Sequence, residues 1–136
     1  MKAYLGRRYR LSASHRLFRE SMSDGENRRV YGKCANPHGH GHNYTVEVIV
    51  GGELDPVTGM VTDLVELDRC VGREVLEPFD AQNLNTLDSF LDRVPTTENL
   101  SLEIERRLRG ALPSQLSLAV RVEETSNNSF EVTGDR

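Results

Sequence analysis

The sequence predicts an α+β fold: a four-stranded antiparallel sheet with two helices on one face, in the order ββ-α-α-ββ. Three observations carry this. Apolar residues alternate with period two near both ends of the chain. Two central segments carry apolar stripes at helical spacing. Gly, Pro and Asn punctuate the stretches between them.

Residues 3–15 alternate, with Ala3, Leu5, Tyr9, Leu11 and Ala13 on one face and Tyr4, Arg8, Arg10, Ser12 and Ser14 on the other. That is a half-buried strand, and its apolar register runs on to His15. Residues 16–33 are polar and Gly-punctuated and read as a long loop. Alternation resumes with His40, His42, Tyr44, Val46, Val48 and Val50 on one face. Gly51 and Gly52 are expected to end this strand, and GELDPVTGM to turn into a short extended return. A helix starts near Asp63, with Glu66 placed for a capping box. Leu64, Leu67, Val71 and Val75 form its stripe, and Pro78 ends it. Residues 79–95 are irregular. A second helix starts at Thr96 or Thr97, buries Leu100, Ile104 and Leu108, and closes on Gly110. Glu103–Arg107 and Glu105–Arg109 are spaced as i,i+4 pairs. Leu116, Leu118, Val120, Val122 and Glu124 alternate as a strand, and Asn127-Asn128 turns the chain into a last strand with Phe130 and Val132.

The chain's 136 residues make one domain spanning 1–136, long enough to bury a core without staples. A net charge of −4 disfavours nucleic acid as a partner. No apolar run is long enough to span a membrane, and the N-terminus has no secretory core. Two cysteines, Cys34 and Cys70, make no disulfide framework, which fits a reducing cytoplasm. There is no internal repeat or linker-like stretch.

Three of the four histidines fall in a pattern that suits a metal. His40 and His42 are two apart on a strand, so their rings leave one face. His15 ends another strand on its apolar register. Two paired strands would bring three neutral imidazoles together, and three ligands with an open position is the pattern of catalytic zinc. The same residues also fit a flexible Gly-His loop beside a packed core histidine. His38 is off-pattern and reads as a loop residue. Cys34 lies six residues before His40. A nearby cation and Lys33 would lower its pKa and make it a base, although a small buried side chain is the plainer reading. Cys70 reads as helix packing. Glu124 is the odd member of an apolar strand face. It is either a strand-end charge or a carboxylate that accepts a paired N–H set from a ligand ring. Asp80 reads as a turn residue.

SASH at 12–15, CANPHGHGHNY at 34–44, DPVTGMV at 55–61, FDAQNLN at 79–85, PTTENL at 95–100 and VEET at 122–125 together resemble the 6-pyruvoyltetrahydropterin synthase family, in order and across nearly the whole chain. The resemblance implies the tunnelling fold and zinc on His15, His40 and His42. It implies Cys34 as the base, Glu124 as the pterin anchor, and Thr96 and Thr97 beside the ring. It also implies a homohexamer of two stacked trimers with sites at subunit boundaries. The family pairs an Asp, here Asp80, with a His that joins the Cys in a proton relay; this chain has Ala81 in place of that His. Turnover is therefore expected to be depressed while binding survives. The implied substrate is 7,8-dihydroneopterin triphosphate, with magnesium as a companion of the triphosphate. Arg16, Arg19, Arg28, Arg29 and Lys33 are the cations at hand for it. The five residues between Cys34 and His40, with Thr96-Thr97-Glu98-Asn99, resemble the biopterin-pathway type. The alternatives are a 6-carboxytetrahydropterin synthase of queuosine synthesis, a pterin aldolase and a weakly active pterin-binding protein.

Overall fold

A computed structural model describes residues 1–134. Strand β1 (Lys2–His15) and strand β2 (His40–Glu53) pair antiparallel along their whole length, from Lys2 opposite Glu53 to His15 opposite His40. Strand β4 (Ser117–Thr125) pairs with β2, and β5 (Asn128–Thr133) pairs with β4. The four long strands are the expected antiparallel sheet. A two-residue strand β3 (Gln82–Asn83) adds a parallel edge to β1, giving the order β3-β1-β2-β4-β5.

The inward face is set by the alternation. Leu11, Tyr44, Val46, Val48, Val50, Val120 and Val122 are buried there. Two helical segments cover it. The first comprises α2 (Leu64–Val71), a π turn (Gly72–Leu76) and α3 (Glu77–Phe79), and it buries Leu67, Val71, Val75 and Phe79. The second is α4 (Thr97–Ala111), which buries Leu100, Ile104 and Leu108. Asp63 caps α2 by accepting from the Val65 and Glu66 amides. Thr96 caps α4 by accepting from Asn99.

Four local expectations fail, each for a physical reason. The polar stretch 16–33 is not all loop: it folds helix α1 (Asp24–Tyr31) and a one-turn 3-10 segment (Gly32–Ala35). Ser23 and Glu26 make the cap that starts α1. Buried Asn27 ties it down through the Arg19 and Met22 carbonyls and the Arg19 amide. Gly51 and Gly52 do not end β2. A Cβ at Gly51 would lie 2.5 Å from the Tyr4 ring, so glycine here answers a close approach and not a break. No extended return follows; Asp55 instead closes a turn on the Val57 and Thr58 amides. Gly110 lies inside α4, and the cap falls on Leu112, whose amide donates to the Leu108 carbonyl. Pro78, by contrast, stands at the end of its helix as expected: the helix stops one residue later, at Phe79, before the extended Asp80.

Candidate functional site

The end of β1 and the start of β2 carry the histidines. His15 and His40 face each other in the ladder, and His42 lies opposite Ala13. The three rings gather with centroids 4.6 to 5.0 Å apart, and one nitrogen from each lies within 4.8 Å of the other two. This is the convergence that period-two spacing on paired strands demands.

His15 is held in one orientation. Its Nδ1–H donates to the Pro95 carbonyl at 2.8 Å, with the Tyr44 hydroxyl 3.4 Å from the same nitrogen. The bond fixes the tautomer and makes Nε2 the acceptor nitrogen, 3.0 Å from His40 Nε2. Burial pushes both His15 and His40 below the ordinary imidazole range, so both are neutral at pH 7. His42 Nε2 is buried and makes no hydrogen bond, although Glu124 Oε1 is 3.1 Å away. Neutral imidazoles with orphaned lone pairs are what a divalent transition metal binds. Tetrahedral zinc spaces its nitrogen ligands roughly 3.3 Å apart. The donor set fits that ion, and His38 stays outside it, exposed on the loop where its amide donates to Asn36.

Glu124 reaches the histidines from β4. It is not a strand-end charge in solvent: its side chain is 14% exposed, with Oε1 3.8 Å from His15 Nε2. A β-bulge puts it there. Glu123 pairs with Ser129 and Thr125 with Asn128, which leaves Glu124 outside the ladder.

Cys34 sits on the 3-10 turn, and its carbonyl accepts from Leu17 at 2.7 Å, which ties the turn to the chain leaving His15. The thiol is pushed up from its ordinary value, by burial first and by the Glu124 charge second. The lowering expected from a nearby cation together with Lys33 does not come from Lys33, which is exposed. A divalent cation on the imidazoles would act in the opposite sense.

Thr97 is buried, with its hydroxyl beside that of Tyr44. Thr96 spends its hydroxyl on the α4 cap. Asp80 does not join Cys34 within this chain: its carboxylate accepts from the Ser12 amide at 2.9 Å, at the β3 edge of β1. Ala81 follows with φ of 59°, held by its own amide on the Ser12 carbonyl. This left-handed backbone is one that His, Asn and Asp adopt more readily than Ala. Cys70 packs in the core as expected. The Pro95 carbonyl and the bulge at Glu124 carried no signal in the sequence, whereas Tyr44 stood on the apolar register without a role.

A family model described as 6-pyruvoyl tetrahydropterin synthase matches residues 4–135. A 6-pyruvoyl tetrahydrobiopterin synthase of Poecilia reticulata is 46% identical over 97% of this chain and 90% of its own length. The Homo sapiens protein of the same name is 44% identical over 98% and 93%. The solved structure of Caenorhabditis elegans 6-pyruvoyl tetrahydropterin synthase superposes with a TM-score of 0.93 at 38% identity, covering 99% of this chain and 97% of that one.

Proposed function

This chain belongs to the 6-pyruvoyl tetrahydropterin synthase family, and on that premise we propose how its residues divide the work of a lyase that converts 7,8-dihydroneopterin triphosphate to 6-pyruvoyltetrahydropterin with loss of triphosphate. The observation that carries the reading is the set of three converging imidazole nitrogens with the Glu124 carboxylate 3.1 Å from one of them. His15, His40 and His42 would hold zinc. When bound, that ion supplies Lewis-acid polarisation of the side-chain hydroxyls of the substrate. Magnesium travels with the triphosphate.

Glu124 accepts the N–H pair of the pterin ring and orients it. Thr97 offers the ring a buried hydroxyl, and Thr96 holds the helix end that presents it. Cys34 takes a proton from the substrate side chain. Asp80 is exposed, and its own chain offers it Ser12 and not Cys34. It therefore acts across a subunit boundary, on the Cys34 of a neighbouring protomer in a homohexamer. The exposed edges β3 and β5 support assembly, because ring closure would cover them. Ala81 leaves that relay one group short. Two free cysteines support a cytoplasmic setting, and among the described residues no helix is long and apolar enough to cross a membrane.

Product analysis tests the reaction. Incubation with 7,8-dihydroneopterin triphosphate should release inorganic triphosphate and leave a 6-pyruvoyl group. Release of glycolaldehyde would mean aldol cleavage, and a 6-carboxy product would mean the queuosine-type enzyme; either result overturns the assignment.

A further inference from the structure

We propose that the cleft between α1 and the 3-10 turn is a polyphosphate subsite in which Arg16, Arg28 and Lys33 grip the triphosphate tail of the substrate. The cleft is about 530 Å³ and also touches Asp24, Asn36 and Pro37. The inference rests on the pterin-triphosphate reading and names the residues that read the phosphate end.

Charge is the first argument. The chain carries a net −4, yet three cations face a single carboxylate here. Arg7, Arg8, Arg69, Arg73, Arg93, Arg106, Arg107 and Arg109 are all neutralised by carboxylates. Among the described residues, Arg16, Arg28 and Lys33 make no ion pair, as is also true of Lys2, Arg10, Arg19, Arg29 and Arg121; what sets the three apart is that they line one cavity together. Cations without a carboxylate partner around one concavity are arranged for an anion from outside.

Position is the second. Arg16 follows the ligand His15 directly, and Lys33 precedes the base Cys34 directly. The Leu17–Cys34 backbone bond holds these two segments together, and the Arg16 Nε–H donates to the Ala35 carbonyl at 3.0 Å. The cleft is therefore lined by the sequence neighbours of a ligand and of the base, on two segments at once. Glu124 reaches the imidazoles from β4. A substrate with its ring on Glu124 and its side chain at the imidazoles has its phosphates left to place, and this is the cationic cavity built on those two segments.

The fold also separates the five basic residues of this region. Arg19 lines another cavity, with Phe18, Phe90 and Arg93, and Arg29 lines neither. Asn27, buried at the root of α1, fixes which helix face meets the cleft, so Arg28 faces in beside it.

The test uses inorganic triphosphate by calorimetry and, separately, steady-state kinetics with the pterin triphosphate. Arg28→Gln should weaken triphosphate binding about tenfold and raise KM by a similar factor with kcat held, as expected for a lost charged contact. Arg16→Gln and Lys33→Gln should weaken triphosphate binding likewise, and Arg29→Gln should change neither measurement. Native turnover with an Arg28→Gln KM and triphosphate affinity equal to the parent would overturn the subsite and leave the reaction standing. Triphosphate binding that needs Arg28 in a chain whose product carries no 6-pyruvoyl group would uphold the subsite and count against the reaction. Equal losses for Arg28→Gln and Arg29→Gln would reduce the effect to general surface charge and overturn the proposal.

Discussion

Two places in this molecule bury ionisable side chains against one another, and they are built on opposite principles. Around Glu103, which is 2% exposed, Arg93, Arg106 and Arg107 and the Ser89 hydroxyl donate to both carboxylate oxygens. Burial pushes that carboxyl up, but the Arg106 and Arg107 hydrogen bonds overcome it and bring the pKa to about 2. At the strand ends, three histidines and Glu124 gather with their ring nitrogens converging, and His42 Nε2 makes no hydrogen bond although Glu124 lies 3.1 Å away. A network that satisfies itself holds helix to loop. One that leaves acceptors converging on a point is waiting for something to bind. Charge and burial alone do not distinguish the two; hydrogen-bond completion does.

Stripping metal separates the two clusters most strongly. Prolonged dialysis against a chelator should abolish triphosphate release, and zinc should restore it, while thermal stability set by the Glu103 network changes far less. Ala81→His comes next. Restoring an imidazole beside Asp80 should raise kcat by about 10²–10⁴-fold with KM hardly moved, because general acid–base groups contribute on that scale. It should also relax the left-handed backbone at 81. Glu124→Gln should raise the KM for the pterin roughly tenfold or more, since one acceptor becomes a donor facing a donor. Loss of turnover with unchanged binding would instead make Glu124 an acid–base group.

Glu103→Gln gives the smallest effect on function and a definite one on stability, a loss of about 1–3 kcal/mol at pH 7. Its pH dependence has a fixed sign. The folded pKa is depressed to about 2 from a reference of 4.5, so the stabilisation is complete above 4.5 and fades as pH falls toward 2. Urea midpoints of parent and variant should therefore differ at pH 7 and converge between pH 4.5 and 2.

Legibility in the sequence followed the range of the interaction. His15, His40 and His42 were readable because strand pleat alone decides which way they point. Glu124 was readable because a carboxylate broke an apolar alternation, although the bulge that aims it left no trace. Helix α1 was hidden by its polar composition: only Ser23 and Glu26 announced it, and Asn27, its anchor, looks like any loop residue. Gly110 misled because its usual meaning is local and the packing around it is not, whereas Pro78 marked a helix end to within one residue. The Pro95 carbonyl that orients His15 comes from eighty positions away and has no side-chain identity to read.

The most direct test of the central claim is metal content. Parent, His15→Ala, His40→Ala, His42→Ala and Glu103→Gln should be dialysed in parallel against metal-free buffer and assayed by elemental analysis. The account predicts about one zinc per chain in the parent and in Glu103→Gln, and a large loss in each histidine variant, because two ligands hold zinc poorly. Full zinc retention in all three histidine variants, each still folded by circular dichroism, would contradict it.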